Sequence, residues 1–205
     1  MKARGKFITL EGVDGAGKST HMQFIADRVA AACGGHAIVT REPGGTDLAE
    51  RLRESILEEA MEPLAETLLI FAARAHHVRK VIRPVLESGS WVVCDRFHDA
   101  TFAYQGAGKG VPLDLIERLG AAAHPGLEPD RTLVFDCTYE VARKRLAASG
   151  KKLDRFERED QGFFERVRGA YLARAKAEPG RIRIIDATAD LATIRKSVER
   201  ALVLA

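Results

Sequence analysis

The sequence predicts a doubly wound α/β fold, and the prediction rests on two observations. Five short runs are rich in apolar or β-branched residues, and helical stretches separate them. The runs are residues 7–11, 37–40, 91–95, 132–136 and 182–186. They are continuous rather than alternating, which is typical of parallel strands that are covered on both faces. We therefore predict a five-stranded parallel sheet flanked by helices on both faces, in one domain that covers residues 1–205.

The helices are predicted from apolar periodicity and from their boundary residues. Residues 18–33 carry apolar side chains at the spacing of one helix face, and Gly34 indicates where the helix ends. Pro112 and Asp190 each precede a helical pattern and are typical of helix starts. Further helices are predicted at 49–59, 64–86, 114–123, 139–148, 161–176 and 191–204. Exposed loops are predicted at 106–112 and 149–154.

Composition and charge exclude several classes of protein. The 205 residues are 46% hydrophobic and 30% charged, the balance of a globular chain. The sequence has no apolar run of the roughly 18–20 residues that cross a bilayer, so we expect no membrane span. The N-terminus is basic and Glu11 follows closely, which leaves no apolar signal segment and predicts a cytoplasmic protein. The net charge is +3, but residues 141–183 hold 13 basic and 6 acidic residues, which indicates either a polyanionic ligand or a solvated helical face.

Residues 12–19 match a phosphate-binding loop in full. The run Gly12-Val13-Asp14-Gly15-Ala16-Gly17-Lys18-Ser19 fits G-x-x-x-x-G-K-[ST], after a predicted strand and before a predicted helix. The glycines allow backbone N–H groups to surround a phosphate, and the helix N-terminus adds partial positive charge. Lys18 is expected to reach the β- and γ-phosphates, and the Ser19 hydroxyl to bind Mg²⁺. We therefore predict that residues 12–20, Thr20 included, bind a nucleotide with Mg²⁺.

Nucleotide binding alone leaves a GTPase switch, an ATPase motor or clamp, and a small-molecule kinase. The chain contains no Asn, which excludes the N-K-x-D guanine-reading motif of switch GTPases. A motor would need partner domains or a track, for which 205 residues leave little room. A kinase needs a second anion site, and Asp95-Arg96 at the end of a predicted strand is a candidate. Asp95 is expected to hold a metal-bound water and Arg96 to grip a second phosphate; the alternative is a surface ion pair.

Further motifs resemble those of thymidylate kinases and occur in the same order. They are Phe-Ile-Thr-Leu-Glu-Gly at 7–12, the phosphate loop, Thr-Arg-Glu-Pro-Gly-Gly-Thr at 40–46, Leu-x-x-Phe-Ala-Ala-Arg at 68–74, Asp-Arg at 95–96, Ala-Tyr-Gln-Gly at 103–106 and Leu-Asp-Arg-Phe-Glu at 153–157. The resemblance implies a P-loop kinase fold. It also implies transfer of the γ-phosphoryl group of ATP to dTMP, giving dTDP and ADP in dTTP synthesis.

The resemblance implies roles for individual residues at the phosphate and the sugar of dTMP. Asp14 would accept a hydrogen bond from the sugar 3′-hydroxyl, which brings both nucleotides to one loop. Arg96 and Arg53 would hold the dTMP phosphate, and Glu42 would help to position that phosphate and the metal-bound waters. Tyr104 would lie against C2′ of the sugar and leave no space for a ribose hydroxyl.

At the base, the resemblance implies polar contacts and one aromatic ring. Arg74 would donate to thymine O4, a contact that the amino group of cytosine opposes, and Thr101 and Gln105 would approach the base edge. Family members often carry a stacking Phe four residues before this Arg, where the sequence has Ile70. Phe71 lies three residues before Arg74 on the same helix face, so we expect Phe71 to cover the thymine ring. The alternative is that Phe71 belongs to the core.

A phosphate monoester has a second pKa of about 6, so the acceptor phosphate is already largely ionised at neutral pH. No general base is therefore needed to remove a proton from it. Catalysis is therefore expected from alignment and charge neutralisation, with Lys18, Arg96 and Arg155 as the catalytic set. The phosphate loop contains no Arg. The resemblance to bacterial members implies a basic lid at about 149–160, with Arg155 as the first candidate and Arg158 as the second. The alternative for Arg155 is an ion pair within the lid.

The remaining expectations concern partners and competing functions. The resemblance implies a homodimer that uses long helices such as 64–86, with ATP and dTMP as substrates and no nucleic acid or membrane partner. The runner-up function is another nucleoside monophosphate kinase, which the base-reading residues would distinguish. A non-catalytic nucleotide-binding module is a further alternative, against which the separate acceptor site argues. His76 and His77 match no metal-ligand pattern and are interpreted as surface or core-edge residues.

Overall fold

The computed structural model describes residues 3–35 and 37–203, and its five strands form one parallel sheet. The strands are β1 (Phe7–Glu11), β2 (Ala37–Arg41), β3 (Trp91–Asp95), β4 (Arg131–Asp136) and β5 (Ile182–Asp186). Their order across the sheet is β2-β3-β1-β4-β5. The predicted fold class is confirmed. Strands β1, β3 and β5 have the predicted bounds, and β2 and β4 are each one residue longer.

The strand order places the phosphate loop at the centre of one sheet edge. Strand β1 pairs with β3, where Leu10 is opposite Asp95, and with β4, where Glu11 is opposite Val134. Because all strands are parallel, their C-terminal ends share this edge. The strand order also switches direction beside β1, and such a switch point forms a ligand crevice in open α/β sheets. The segments that follow β1 and β3 therefore meet at this crevice.

Both faces of the sheet are covered by helices. Along β3, Val92 and Cys94 are buried in a cluster that contains Ile82, whereas Val93 belongs to the core on the opposite face with Ile25. This division follows from the alternation of side chains along a strand. Every residue of β1 is buried. Burial on both faces is the physical reason that the central strands β1, β3 and β4 are continuous apolar runs in the sequence. The edge strands β2 and β5 are only partly buried.

Most helices have nearly the predicted bounds. They are α1 (Lys18–Cys33), α2 (Asp47–Glu58), α3 (Pro63–His77), α4 (Arg83–Glu87), α5 (His98–Thr101), α6 (Leu113–Ala123), α7 (Tyr139–Ala148), α8 (Gln161–Ala177) and α9 (Leu191–Ala201). Helix α2 begins earlier than predicted because the Thr46 side chain caps it by accepting a hydrogen bond from the Ala49 N–H at 3.2 Å. The predicted end of the last helix at residue 204 lies outside the described residues.

The helix predicted over 64–86 is interrupted by a wide turn. A π-helical segment, Val78–Ile82, joins α3 to α4, and the Arg83 N–H donates to the carbonyl five residues earlier, at Val78. Pro84 is the physical reason, because proline has no N–H to donate and its ring crowds the preceding turn.

The prediction of an exposed loop over 106–112 is wrong for residues 106–108, whereas residues 109–112 do form a loop in which Gly110 and Pro112 are exposed. Residues Phe102–Gly108 form a π-helical segment that continues α5, and Gly106 and Val111 are buried. A β-carbon at Gly106 would lie 2.7 Å from the Leu113 side chain, so this glycine allows α6 to approach closely. Glycines that permit close packing and glycines that permit flexibility look the same in a sequence, and only the tertiary packing separates them.

Arginines of the basic segment 141–183 pair with carboxylates of the protein body. Arg168 donates to both Asp136 oxygens, at 2.7 and 2.9 Å, and Arg174 and Arg181 both bind the buried Asp99. These arginines therefore tie α8 and β5 to the rest of the fold.

Within the two described ranges, no helix combines the length and apolarity that crossing a membrane requires.

Candidate active site

The phosphate loop connects the buried end of β1 to the first turn of α1. Gly12, Gly15 and Gly17 have φ values of 130°, 81° and 95°, which disfavour any residue with a β-carbon. A β-carbon at Gly12 would also lie 2.4 Å from the Phe135 carbonyl oxygen of β4. Residues 14–20 line a cavity of about 520 Å³, the loop cavity. The N-terminus of α1 therefore faces a space that is large enough for a polyphosphate group.

Lys18 is buried at the mouth of this loop. Its Nζ donates to the Gly12 carbonyl at 3.2 Å and lines the loop cavity. Burial lowers the pKa of Lys18 and the nearby Arg96 lowers it further, while Asp95 and Asp14 oppose the shift. An anion in the loop cavity would oppose the shift in the same way, because it favours the charged amine.

Arg96 joins the phosphate loop to the end of β3. Its φ of 69° is in the left-handed region, which is costly for a residue with a β-carbon. Its Nη1 donates to the Gly12 carbonyl at 2.9 Å, and its Nη2 donates to Asp14 Oδ1 at 2.6 Å and to Tyr104 Oη at 2.9 Å. Tyr104 Oη in turn donates to Asp14 Oδ2 at 2.8 Å. This network fixes the guanidinium beside the loop.

The charges of this network support one another. Burial alone would lower the pKa of Arg96, but Asp14 and two tyrosines raise it well above its usual range. Burial likewise would raise the pKa of Asp14, and Arg96 and Lys18 overcome this and lower it. Both groups therefore carry their charges at neutral pH. The alternative for Asp95-Arg96 was a surface ion pair. Arg96 instead pairs with Asp14 in a largely buried position, and the side chains of Arg96 and Asp14 are 16% and 28% exposed.

A second, inner cavity of about 90 Å³ adjoins the loop cavity. The two cavities share five lining residues, which are Asp14, Glu42, Arg53, Arg96 and Asp154. The inner cavity is further lined by Arg74, Thr101, Tyr104 and Gln105. The structure therefore brings these eight of the nine predicted dTMP residues to one place: Asp14, Glu42, Arg53, Arg74, Arg96, Thr101, Tyr104 and Gln105.

Arg74 is fully buried on the wall of the inner cavity. Its Nε donates to Glu42 Oε2 at 2.6 Å, and its Nη2 donates to the Phe97 carbonyl at 2.9 Å and to Thr101 Oγ1 at 3.0 Å. Its Nη1 lies 3.3 Å from His98 Nδ1. A guanidinium has five N–H groups, and these contacts use four of them. One N–H of Nη1 has no contact among the described residues.

The prediction for Phe71 disagrees with its placement. Phe71 is buried against Phe102, Val111 and Ile116, outside the lining of the inner cavity. Ile70 lines the cavity instead. Residues three and four positions before Arg74 lie on the same helix face. The Phe71 ring packs into the space beside α6, and the smaller Ile70 side chain lies at the cavity wall. Phe71 is therefore corrected to a core residue.

The interpretation of His77 as a surface or core-edge residue is wrong. Its side chain is fully buried, with Nδ1 2.9 Å from Glu42 Oε1 and Nε2 2.8 Å from Thr40 Oγ1. Burial would raise the pKa of Glu42, but Arg74 and His77 lower it. His77 thus helps to hold the carboxylate that orients Arg74. Arg53 completes this corner by donating to the Pro43 carbonyl at 2.9 Å.

Arg155 lies away from the phosphate loop, although it was predicted to serve the moving phosphoryl group. Its Nε donates to the Ile56 carbonyl, its Nη2 binds the carboxylate of Glu66, and its guanidinium stacks 4.5 Å from the Phe156 ring centre. The ion pair within the lid that was considered for Arg155 is replaced by this pair with α3. In the lid, Lys151, Asp154 and Glu157 line the loop cavity instead. Arg158 Nε donates to the Asp154 carbonyl at 3.2 Å.

Ser19 and Asp95 suit a magnesium ion that is held mainly by phosphates and water. Both residues line the loop cavity. Asp95 Oδ1 is buried and has no hydrogen-bond partner among the described residues. Within residues 3–35 and 37–203, no group of three or more His, Cys, Asp or Glu side chains could hold a metal by itself. Mg²⁺ at nucleotide sites typically uses only one or two protein oxygens, so this sparse donor set fits.

Two residues that sequence reasoning missed support Arg96 from behind. Tyr171 of α8 accepts from Arg96 Nη1 at 3.2 Å and donates to Glu11 Oε2 at 2.8 Å. Glu11 also accepts from the Phe97 N–H at 2.7 Å, beside the left-handed Arg96. Burial, with the charge of Asp99, raises the pKa of Glu11 to about 7. The local sequence of α8 carries no signal for this contact, because Tyr171 occupies an ordinary core position of the helix.

Comparisons with known proteins agree with this geometry. The family model for thymidylate kinase matches residues 10–198. A thymidylate kinase of Bordetella petrii is 55% identical over 195 residues, which are 95% of this chain and 93% of that protein, and one of Methylobacillus flagellatus is 53% identical over 195 residues, 95% of each chain. A crystal structure of thymidylate kinase from Ehrlichia chaffeensis has a TM-score of 0.78 at 32% identity, and the match covers 97% of this chain and 99% of that one. The chain therefore belongs to the thymidylate kinase family.

Proposed function

We propose that the chain transfers the γ-phosphoryl group of ATP to dTMP, giving dTDP and ADP. One observation carries the proposal: the loop cavity and the inner cavity meet at Asp14 and Arg96. A donor phosphate in the phosphate loop and an acceptor phosphate at Arg96 would then share a common boundary. Such an arrangement supplies the alignment that phosphoryl transfer requires.

On the donor side, residues 12–20 would hold ATP. The backbone N–H groups of the loop and the start of α1 favour anionic phosphates, and Lys18 adds a point charge beside them. Ser19 and Asp95 would hold Mg²⁺, directly and through water. When bound, Mg²⁺ neutralises charge on the β- and γ-phosphates.

On the acceptor side, Arg96 and Arg53 would hold the dTMP phosphate where the two cavities join. Tyr104 would lie against C2′ of the sugar and leave no space for a ribose hydroxyl, and its own hydroxyl is held in place by Asp14 and Arg96. The free N–H of Arg74 would donate to thymine O4. Ile70 replaces Phe71 in this proposal as the residue that contacts the base, since Ile70 lines the inner cavity.

The chemical step would rely on charge neutralisation and on the exclusion of water. The acceptor phosphate is already ionised, so no side chain has to remove a proton. Lys18 from the loop cavity and Arg96 from the boundary between the cavities would neutralise this charge, and Arg155 would join them from the lid at 149–160. Closure of this lid would keep water from competing as the acceptor.

An assay of ADP release over several acceptors tests the proposal. With ATP and Mg²⁺, we expect dTMP to give the highest kcat/KM among dTMP, dUMP, dCMP, ribothymidine monophosphate and AMP. Chelation of Mg²⁺ with EDTA should abolish turnover. Reactions without an acceptor measure background ATP hydrolysis. A preference for AMP or dCMP would contradict the proposal and favour another nucleoside monophosphate kinase.

We also propose that the chain forms a homodimer through α3 and α6. Leu64 and Leu68 lie one turn apart on α3 and are 50% and 48% exposed, and Leu113 at the start of α6 is 54% exposed. Exposed apolar side chains on two packed helices are typical of an interface.

The free Cys33, Cys94 and Cys137 support the proposal of a reducing, cytoplasmic location.

The dimer proposal predicts the effect of one substitution on mass in solution. Leu68→Glu places a charge on the exposed face of α3 and should convert the dimer to a monomer in sedimentation equilibrium. Leu191→Glu is the matched control, because Leu191 is 53% exposed at the start of α9, away from α3. A wild-type protein that sediments as a monomer, or a Leu68→Glu variant that remains dimeric, would contradict the proposal.

A further inference from the structure

We propose that Glu66 is a positioning residue that determines which end of the Gln105 amide faces the base, and thereby selects thymine over cytosine. The proposal rests on the proposed function. Glu66 lies in the first turn of α3 and is 0% exposed. Neither the phosphate loop nor the lid contains it. A buried carboxylate with several polar partners requires an explanation.

The carboxylate of Glu66 accepts from three donors, two from the segment 105–109 and one from the lid. Gln105 Nε2 donates to its Oε1 at 2.7 Å, Lys109 Nζ donates to its Oε2 at 2.6 Å, and Arg155 binds the same Oε2. Two cations beside one carboxylate match the ionised form. An ionised carboxylate has no proton and can only accept hydrogen bonds.

This acceptor character fixes the orientation of the Gln105 amide. An amide has a donor end and an acceptor end, and its neighbours decide which way it turns. If the amide were reversed, its carbonyl oxygen would face the Glu66 oxygen without a proton between them. The NH₂ end therefore belongs against Glu66, and the carbonyl Oε1 lies on the other side of the amide. Gln105 lines the inner cavity, so this oxygen is available to a ligand there.

The two pyrimidines differ at the edge that this oxygen would meet. Thymine has an acceptor at O4 and a donor at N3–H, whereas cytosine has an amino donor at C4 and an acceptor at N3. The remaining N–H of Arg74 complements O4, and the carbonyl of Gln105 complements N3–H. Cytosine would place donor against donor and acceptor against acceptor. Buried polar groups left unpaired in this way discriminate strongly between ligands.

A merely structural role for Glu66 predicts a different result. Glu66 also bridges α3, the π-helical segment and the lid, so its loss could loosen the site as a whole. Loosening would weaken both pyrimidines together. Loss of the amide orientation would instead change the ratio of the affinities for thymine and cytosine nucleotides, because only thymine donates to the carbonyl of Gln105. The ratio of the two affinities therefore separates the roles.

The test uses dTMP and 5-methyl-dCMP, which differ only at N3 and C4 of the base. The KM of dTMP and the inhibition constant of 5-methyl-dCMP against dTMP are measured in the wild type, Glu66→Gln, Gln105→Ala and the double variant. We expect Glu66→Gln to lower the preference for dTMP about tenfold, which is the scale of one base-edge contact. Gln105→Ala should lower it by a similar factor, and the double variant should show no further loss, because Glu66 acts through Gln105.

The controls distinguish the possible failures. Glu62→Gln makes the same change at an exposed position one turn before Glu66 and should leave the preference unchanged. An unchanged preference in Glu66→Gln, with both affinities weakened equally, would overturn the inference. If Glu66→Gln does not fold by circular dichroism, Gln105→Ala decides: an unchanged preference there overturns the inference, and a tenfold loss supports it. A wild type that does not phosphorylate dTMP would instead contradict the proposed function.

Discussion

Lys18→Ala is expected to lower kcat about 10³-fold, with a native far-ultraviolet circular dichroism spectrum. Lys18 Nζ is held at the mouth of the phosphate loop by the Gly12 carbonyl. In the proposed reaction, charge would develop there on the transferred phosphoryl group. Removing one positioned electrostatic donor from such a site costs on the order of 10²–10³ in rate, and Lys18 carries a full charge. Steady-state ADP release with saturating dTMP and ATP gives kcat directly.

The fold should tolerate this substitution for two reasons. Alanine is favourable in the first turn of a helix, where Lys18 begins α1. Burial also lowers the pKa of Lys18, which means that the buried charge costs free energy. Alanine carries no charge and avoids this cost. Lys196→Ala on the exposed face of α9 is the control for loss of a positive charge and should keep full activity. Normal turnover in a folded Lys18→Ala protein would remove the phosphate loop from the mechanism.

Arg155→Ala is expected to lower kcat about 10³-fold while the Kd for ATP changes much less. This is the size of effect that an arginine delivered to the transferred phosphoryl group has in related chemistry. In the structure, Arg155 binds Glu66 and the Ile56 carbonyl. The proposed role therefore requires its guanidinium to leave Glu66 when both substrates are bound. Single-turnover measurement of product formation separates this step from binding and release.

Lys151→Ala is the informative comparison for Arg155. Lys151 lies in the same lid, lines the loop cavity and pairs with Glu157 at 2.5 Å. A mobile ammonium lacks the planar donor geometry of a guanidinium, so we expect Lys151→Ala to lower kcat by only about tenfold. A larger loss in Lys151→Ala than in Arg155→Ala would show that Lys151 is the cation that serves transfer and that Arg155 only anchors the lid to α3.

The fold and the phosphate loop could be predicted because their causes are local in the chain. The continuous apolar runs of β1 and β3 reflect burial of a strand on both faces, and both strands have the predicted bounds. The glycines of the loop 12–19 impose backbone angles within a few residues of one another. The presence of Arg74 and Arg96 at the site could be predicted for a related reason, since each belongs to a short motif with a fixed place in the fold.

The direction of several side chains could not be predicted, because it depends on contacts between distant segments. Tyr171 reaches Glu11 across 160 positions of sequence, and Arg155 reaches Glu66 across 89. Phe71 turned to the core and Ile70 to the cavity because α6 left room for a ring on one side only.

The sequence by itself thus determined the sheet, the phosphate loop and which residue types gather at the crevice. The tertiary structure alone decided which of those residues face one another, and it revealed the buried partners Glu66, Tyr171 and His77. The physical reason is that backbone conformation follows from short-range sterics and periodicity, whereas the pairing of a buried polar group is fixed only when separate elements pack around it.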